Sequence, residues 1–158
     1  MAIQIGDRIP QVNIWRIDGG VETVDTTSFF DGKKIVLFAV PGAFTSTCSE
    51  KHLPGFVEHY EAFRAKGIDV ACTSVNDPPV MKAWATSQNT PAGMAILADG
   101  NGDFAKALGL EMDASAYGMG IRSKRFALYA ENGEVKLLEV EAPGEFRVSS
   151  AEHMLSLL

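Results

Sequence analysis

The chain has 158 residues, 46% of them hydrophobic, and a formal net charge of −6 at pH 7. That length supports one domain with a substantial core and is too short for two. No very long apolar run is present, which excludes a transmembrane helix and fits a soluble protein, and the acidic balance argues against nucleic-acid backbones and anionic membranes as partners. The opening MAIQIGDRIP carries no basic region followed by an apolar stretch and a small-residue cleavage site, so the expected location is cytoplasmic. Two cysteines in such a chain suggest one reactive and one packed thiol rather than a structural disulfide.

Ile14 to Ile17 and Val21 to Val24 flank Asp18-Gly19-Gly20, the pattern of a β-hairpin. Lys33 to Val40 (KKIVLFAV) is a β-branched-rich apolar run behind an Asp31-Gly32 turn, which suits a strand buried on both faces. Pro41 and Gly42 end it. Leu53, Phe56, Val57, Tyr60 and Phe63 then recur at helical spacing, and Lys66-Gly67 is a basic last turn with a glycine stop. A helix is expected from Cys48 to Ala65, capped by Thr47 with Glu50 closing a capping box. Pro54 should kink it, since proline removes a hydrogen bond and clashes with the preceding turn.

Ile68 to Val75 is the next buried strand, and Pro78 to Ser87 a helix with proline in its first turn. Ala95 to Ala98 reads as a short strand and Asp103 to Leu108 as a short helix. Arg125 to Ala130 pairs with Glu134 to Glu141 across Asn132-Gly133, a strong hairpin turn. Ser149-x-x-Glu152 is a capping box opening a last helix to Leu158. Helices after central strands, with hairpins at the ends, indicate a three-layer α/β/α domain with a central mixed sheet.

Cys48 is the most informative residue. At the first turn of a helix, unpaired amides and the positive end of the dipole favour a sulfur anion, and Thr45, three residues earlier, offers a hydroxyl to the sulfur or to a bound oxygen. Cys72, inside a buried strand, reads as a packing residue. Cys48 and His52 are four apart on one helix face, but no second pair completes a metal site, so neither metal nor other cofactor is expected.

The order Pro41, Thr45, Cys48 resembles the peroxiredoxin active-site pattern Pro-x-x-x-Thr-x-x-Cys. The longer run PGAFTSTCSEKHLPGF, Pro41 to Phe56, resembles the type V subfamily, also called type II or atypical, apart from Ser46 where proline is common. That departure implies a looser loop with the chemistry intact. Gly120 to Phe126 resembles the subfamily's arginine-bearing stretch and implies that Arg122 is the active-site arginine, leaving Lys124 and Arg125 as surface or interface charges. The resemblance further implies a thioredoxin-like fold and a thiol peroxidase acting on hydrogen peroxide and small organic hydroperoxides. In that reading Cys48 is the peroxidatic nucleophile, Thr45 and Arg122 hold the peroxide oxygens, Pro41 shields the thiolate, and Phe44 and His52 border the site.

Some relatives carry a resolving cysteine before the last helix, where this chain reads Gly144 to Ser149 without a thiol. The implied cycle therefore uses one cysteine, with glutathione and glutaredoxin, or thioredoxin, as reductant, in a homodimer whose contacts include Leu110 to Gly120. The readings of other classes are a peroxide sensor that relays oxidation to a partner, and a non-catalytic thioredoxin-like binding protein.

Overall fold

The computed structural model describes residues 2–158. Its centre is three parallel strands, β3 (Lys34–Val40), β4 (Asp69–Ser74) and β5 (Ala95–Ala98). The hairpin of β1 (Asn13–Asp18) and β2 (Gly20–Asp25) adds antiparallel to β5. Two further strands, β8 (Phe126–Glu131) and β9 (Glu134–Val140), add antiparallel to β3. The sheet order is thus β2-β1-β5-β4-β3-β8-β9, a mixed sheet of seven strands. Between β5 and β8 the chain makes a separate small hairpin, β6 (Glu111–Asp113) with β7 (Ile121–Ser123).

Strand alternation divides the core between the two faces. Val36, Phe38 and Val40 of β3 join Val70 and Cys72 of β4 on one side. Against them pack α2 (Leu53–Glu58), α3 (Tyr60–Ala65), α4 (Pro78–Ser87) and α6 (Ala151–Leu157). Ile35, Leu37 and Ala39 face the other side, under α1 (Thr26–Phe30) and α5 (Asp103–Leu108). These are the three layers of the thioredoxin-like fold expected from the sequence. Because β3 is covered on both sides, it needed no polar alternation, and its last six residues are completely buried.

Most boundaries expected from composition hold, and Asn132 and Gly133, with φ of 51° and 80°, supply the two left-handed residues of the β8-β9 turn. Two capping boxes do not form. Thr47 is itself helical and makes no side-chain cap bond, because helical conformation begins at Ser46 and the first turn is held by the Ser49 amide donating to the Thr45 carbonyl at 2.9 Å. The last helix is capped by Ser150, which accepts from the His153 amide at 3.1 Å, while Ser149 is engaged elsewhere.

The single helix expected from Cys48 to Ala65 is divided. Cys48–His52 is a π-helical turn, α2 follows, and His59 with φ of −96° separates α2 from α3. Pro54, which has no amide to give, lies in the first turn of α2, directly after the widened turn. The irregularity foreseen at proline therefore takes the form of a π turn carrying the cysteine. α1 and the β6-β7 hairpin had no sequence expectation, being too short to show a period.

Candidate active site

β3 delivers the chain to the site at Val40, and Pro41 stops the strand. Gly42 is buried in a close approach: a Cβ there would lie 2.9 Å from the Met119 Cε and 3.2 Å from the Thr45 Cγ2. A side chain here would have to push the Met119 methyl aside, so glycine lets the loop lie against the β6-β7 hairpin without displacing it. The Ala43 amide donates to the Asn76 Oδ1 at 2.9 Å, fastening the loop to the end of β4. Phe44 has φ of 65°, a left-handed backbone that costs a non-glycine residue about 1 kcal/mol or more, and its ring is exposed. The Thr45 Oγ1 donates to the Gly42 carbonyl at 2.7 Å. Its proton is thus committed, so toward any further group the hydroxyl is an acceptor rather than the donor expected from sequence.

Cys48 opens the π-helical turn and is completely buried. That turn is anchored from the side by Trp84 of α4, whose indole Nε1 donates to the Ser49 Oγ at 2.9 Å. The Cys48 sulfur accepts from the Arg125 Nη2 at 3.1 Å. The same guanidinium, through Nη1, is 2.9 Å from the His52 Nδ1. Since arginine can only donate, Nδ1 must be an acceptor, which puts the imidazole proton on Nε2. There it donates to the Ser149 carbonyl at 2.9 Å.

His52 is wholly buried, with Phe38, Phe56 and Phe146 rings centred 5.0, 5.7 and 5.0 Å away. Burial, and next the Arg125 charge, push its pKa down to about 3. The ring is neutral at physiological pH and acts as a fixed acceptor for Arg125. It is neither exposed nor free to bind metal, because both nitrogens are occupied.

The arginine expected at the sulfur was Arg122, and this is corrected. Its Nε donates to the Met119 carbonyl at 2.7 Å and its Nη1 to the Val75 carbonyl at 3.0 Å, so it braces the small hairpin against the end of β4. Arg125, read from sequence as a surface charge, takes the position beside Cys48. The cause is strand parity. Ala127 and Tyr129 belong to the core on the Cys48 face, whereas Phe126, Leu128 and Ala130 belong to the opposite one. Arg125 shares the parity of Ala127. It also precedes Phe126, which pairs with Ala39, so it enters at the end of β3 from which the Pro41 loop departs. The alternation in RFALYA was a usable signal; which face carried the cysteine helix was not.

A cavity of about 190 Å³ opens next to these groups, lined by Pro41, Thr47, Lys124, Arg125, Glu141 and Pro143 among others. Pro41 and Arg125 are thus brought together at its wall. Cys72 lies on β4 opposite Phe38, completely buried on the same side of the sheet as Cys48. Burial, and then the neighbouring Cys48, push its thiol well above the ordinary range. It is a protonated packing group.

A buried thiol at the start of a helical turn, faced by a guanidinium that also lines a small cavity, can act as a nucleophile toward a small substrate and stabilise charge next to the sulfur. Comparison with known proteins agrees with that chemistry. The Redoxin family model matches residues 4–155. The chain is 47% identical to Peroxiredoxin-2C of Oryza sativa subsp. japonica, over 99% of its own length and 98% of the relative's. It is 48% identical to the chloroplastic Peroxiredoxin-2E of Arabidopsis thaliana, over 99% of this chain and 70% of that one. Among solved structures, reduced Prx3 of Vibrio vulnificus in complex with hydrogen peroxide superposes with a TM-score of 0.92 at 47% identity, covering 98% of each chain. With these likenesses spanning nearly its whole length, the chain belongs to the peroxiredoxins, thiol peroxidases of thioredoxin-like fold.

Proposed function

We propose a one-cysteine hydroperoxide reductase in which Cys48 is the peroxidatic nucleophile. The observation that carries this reading is the Arg125 Nη2 donating to the Cys48 Sγ at 3.1 Å. A fixed cation there favours the sulfur anion and remains in place for the negative charge that develops on the peroxide oxygens. The thiolate attacks the terminal oxygen of R-O-O-H; the S-O bond forms as O-O breaks, giving Cys48 sulfenic acid and an alkoxide or hydroxide that takes a proton from solvent. Thr45, with its own proton held by Gly42, accepts the hydroperoxide O-H and orients the attacked oxygen. Arg125 stabilises the leaving oxygen more as the bond breaks than before. Pro41 walls the cavity through which a small peroxide enters.

For recycling, an external thiol condenses with the sulfenic acid and releases water, and a second thiol attacks the outer sulfur of the mixed disulfide, so that Cys48 leaves as thiolate and the two external thiols are joined as a disulfide. Glutathione with glutaredoxin, or thioredoxin, supplies these equivalents. The buried, protonated state of Cys72 supports an external resolving thiol, because the thiolate is the attacking form. A cytoplasmic setting, where thiols stay reduced, accords with two free cysteines.

One experiment tests both halves of the cycle. Cys48→Ser should abolish peroxide consumption, and Cys72→Ser should keep most of it. Protein given one equivalent of peroxide and then glutathione should show, by mass spectrometry, a mixed disulfide on Cys48. A disulfide between Cys48 and Cys72 would overturn the one-cysteine cycle, and peroxidase turnover in Cys48→Ser would overturn the nucleophile. Stoichiometric oxidation without turnover, with any thiol reductant, would favour a peroxide sensor.

We further propose a homodimer built around the active-site loop. Phe44, Tyr117 and Ile121 are 57, 83 and 53% exposed, and the last two flank Met119, which touches Gly42. Such a rim of large apolar side chains is typical of a protein contact. Sedimentation should give a dimer at micromolar concentration that Tyr117→Asp converts to monomer; a wild-type monomer rules the dimer out.

A further inference from the structure

The guanidinium that reaches the Cys48 sulfur rests its other nitrogen on the His52 Nδ1, and the tautomer that makes Nδ1 an acceptor donates its Nε2 proton to the Ser149 carbonyl. What fixes Ser149 is Glu141. This carboxylate is buried at the end of β9 without a salt-bridge partner among the described residues. It accepts from the amides of Arg147, Val148 and Ser149 at 2.8 Å each, and from the Ser149 hydroxyl at 2.7 Å. Its own amide donates to the Arg125 carbonyl at 2.9 Å. Burial raises its pKa, but the Ser149 hydroxyl and the three amides outweigh that and hold it below the usual carboxylate value. The loop so gathered also lays Phe146 against His52 and, at 5.8 Å, against the Arg125 guanidinium.

We propose that Glu141 is a positioning residue for the peroxide step, fixing the Ser149 carbonyl, through it the His52 tautomer, and through that the Arg125 guanidinium at the Cys48 sulfur. The assignment rests on the thiol-peroxidase reading above. The physical reason for a carboxylate is the donor count: three amides and a hydroxyl converge on one group, and only an ionised acid offers enough acceptor sites. A glutamine presents one carbonyl and would turn two N-H donors toward the same amides. The charged and titratable groups that bear on Cys48 are then Arg125, His52, Cys72 on the same face of the sheet and, beyond the imidazole, Glu141.

Glu141→Gln tests this in readouts that contain no peroxide, so that its failure is separate from a failure of the peroxidase reading. In a Cys72→Ser background, iodoacetamide alkylation of Cys48 at neutral pH should slow about tenfold, with its pH profile displaced upward. Adding Glu141→Gln to Arg125→Ala should change nothing further, because the two act in one chain. An unchanged alkylation profile in folded Glu141→Gln, or additive effects in the double variant, would overturn the proposal. Nitrogen-15 spectra of the His52 ring in the wild-type protein give a second test that no folding defect can spoil: a single Nε2-H tautomer is required, and an Nδ1-H or mixed population would overturn it.

Discussion

Arg125→Ala should slow peroxide reduction by about 100-fold, while Arg122→Ala costs less than tenfold. Removing a preorganised donor to developing negative charge in a water-poor site typically costs 10² to 10³ in rate. Arg125 is that donor, with one nitrogen on the sulfur and the other locked on a neutral imidazole, so no reorganisation is needed as the O-O bond opens. Its loss removes the only cation that reaches the Cys48 sulfur by hydrogen bond among the described residues. Arg122 gives its protons to two backbone carbonyls, so its truncation leaves those acceptors short. That costs about 1–3 kcal/mol of stability and loosens the hairpin beside Gly42 without touching the sulfur. Stopped-flow oxidation of the reduced proteins, with denaturation curves of the same samples, separates the two. Equal rates for the two variants would return Arg122 to the site.

The difference between these arginines shows where sequence was sufficient and where it was not. Local chemistry could be read directly: the Asn132-Gly133 turn, the proline in the first turn of α4, and the apolar runs of β3 and β4. Pro41, Thr45 and Cys48 fall within eight residues, so their arrangement is set by one strand end and one helix start. Arg125 comes from 77 residues away, and its direction depends on which side of the sheet the Cys48 helix covers. That is decided by the pairing of β8 with β3, which no local pattern states. The same holds for Ser149. Its sequence context, Ser-x-x-Glu before an apolar run, describes a cap as well as it describes its actual role, and the buried Glu141 claims it first. The π turn before Pro54 likewise carries a tertiary contact, Trp84 on Ser49, that no local pattern states.

His52 should make the protein lose stability as the pH falls, well before carboxylates titrate. Unfolded, the imidazole takes up a proton near pH 6.5; folded, it resists doing so until about 3. The folded value is the lower one, so the unfolded state binds more protons between these limits and is favoured progressively as pH drops. The stabilisation is complete above 6.5 and declines below it, by about 2 kcal/mol between pH 7.5 and 5. This interval lies above the range in which Glu141, held below the usual carboxylate value, would add a loss of its own. Chemical denaturation at the two pH values should show the decline in wild type and a much flatter response in His52→Gln, even if that variant is less stable throughout for lack of aromatic packing. The same neutrality bears on function. A protonated ring would turn a second cation toward Arg125 and drive the guanidinium off Nδ1. A pKa near 3 therefore keeps the arginine seated on the sulfur across the whole range in which thiols act as nucleophiles. A decline in His52→Gln as steep as in wild type would mean that another group titrates in this window and that His52 does not set the acid sensitivity.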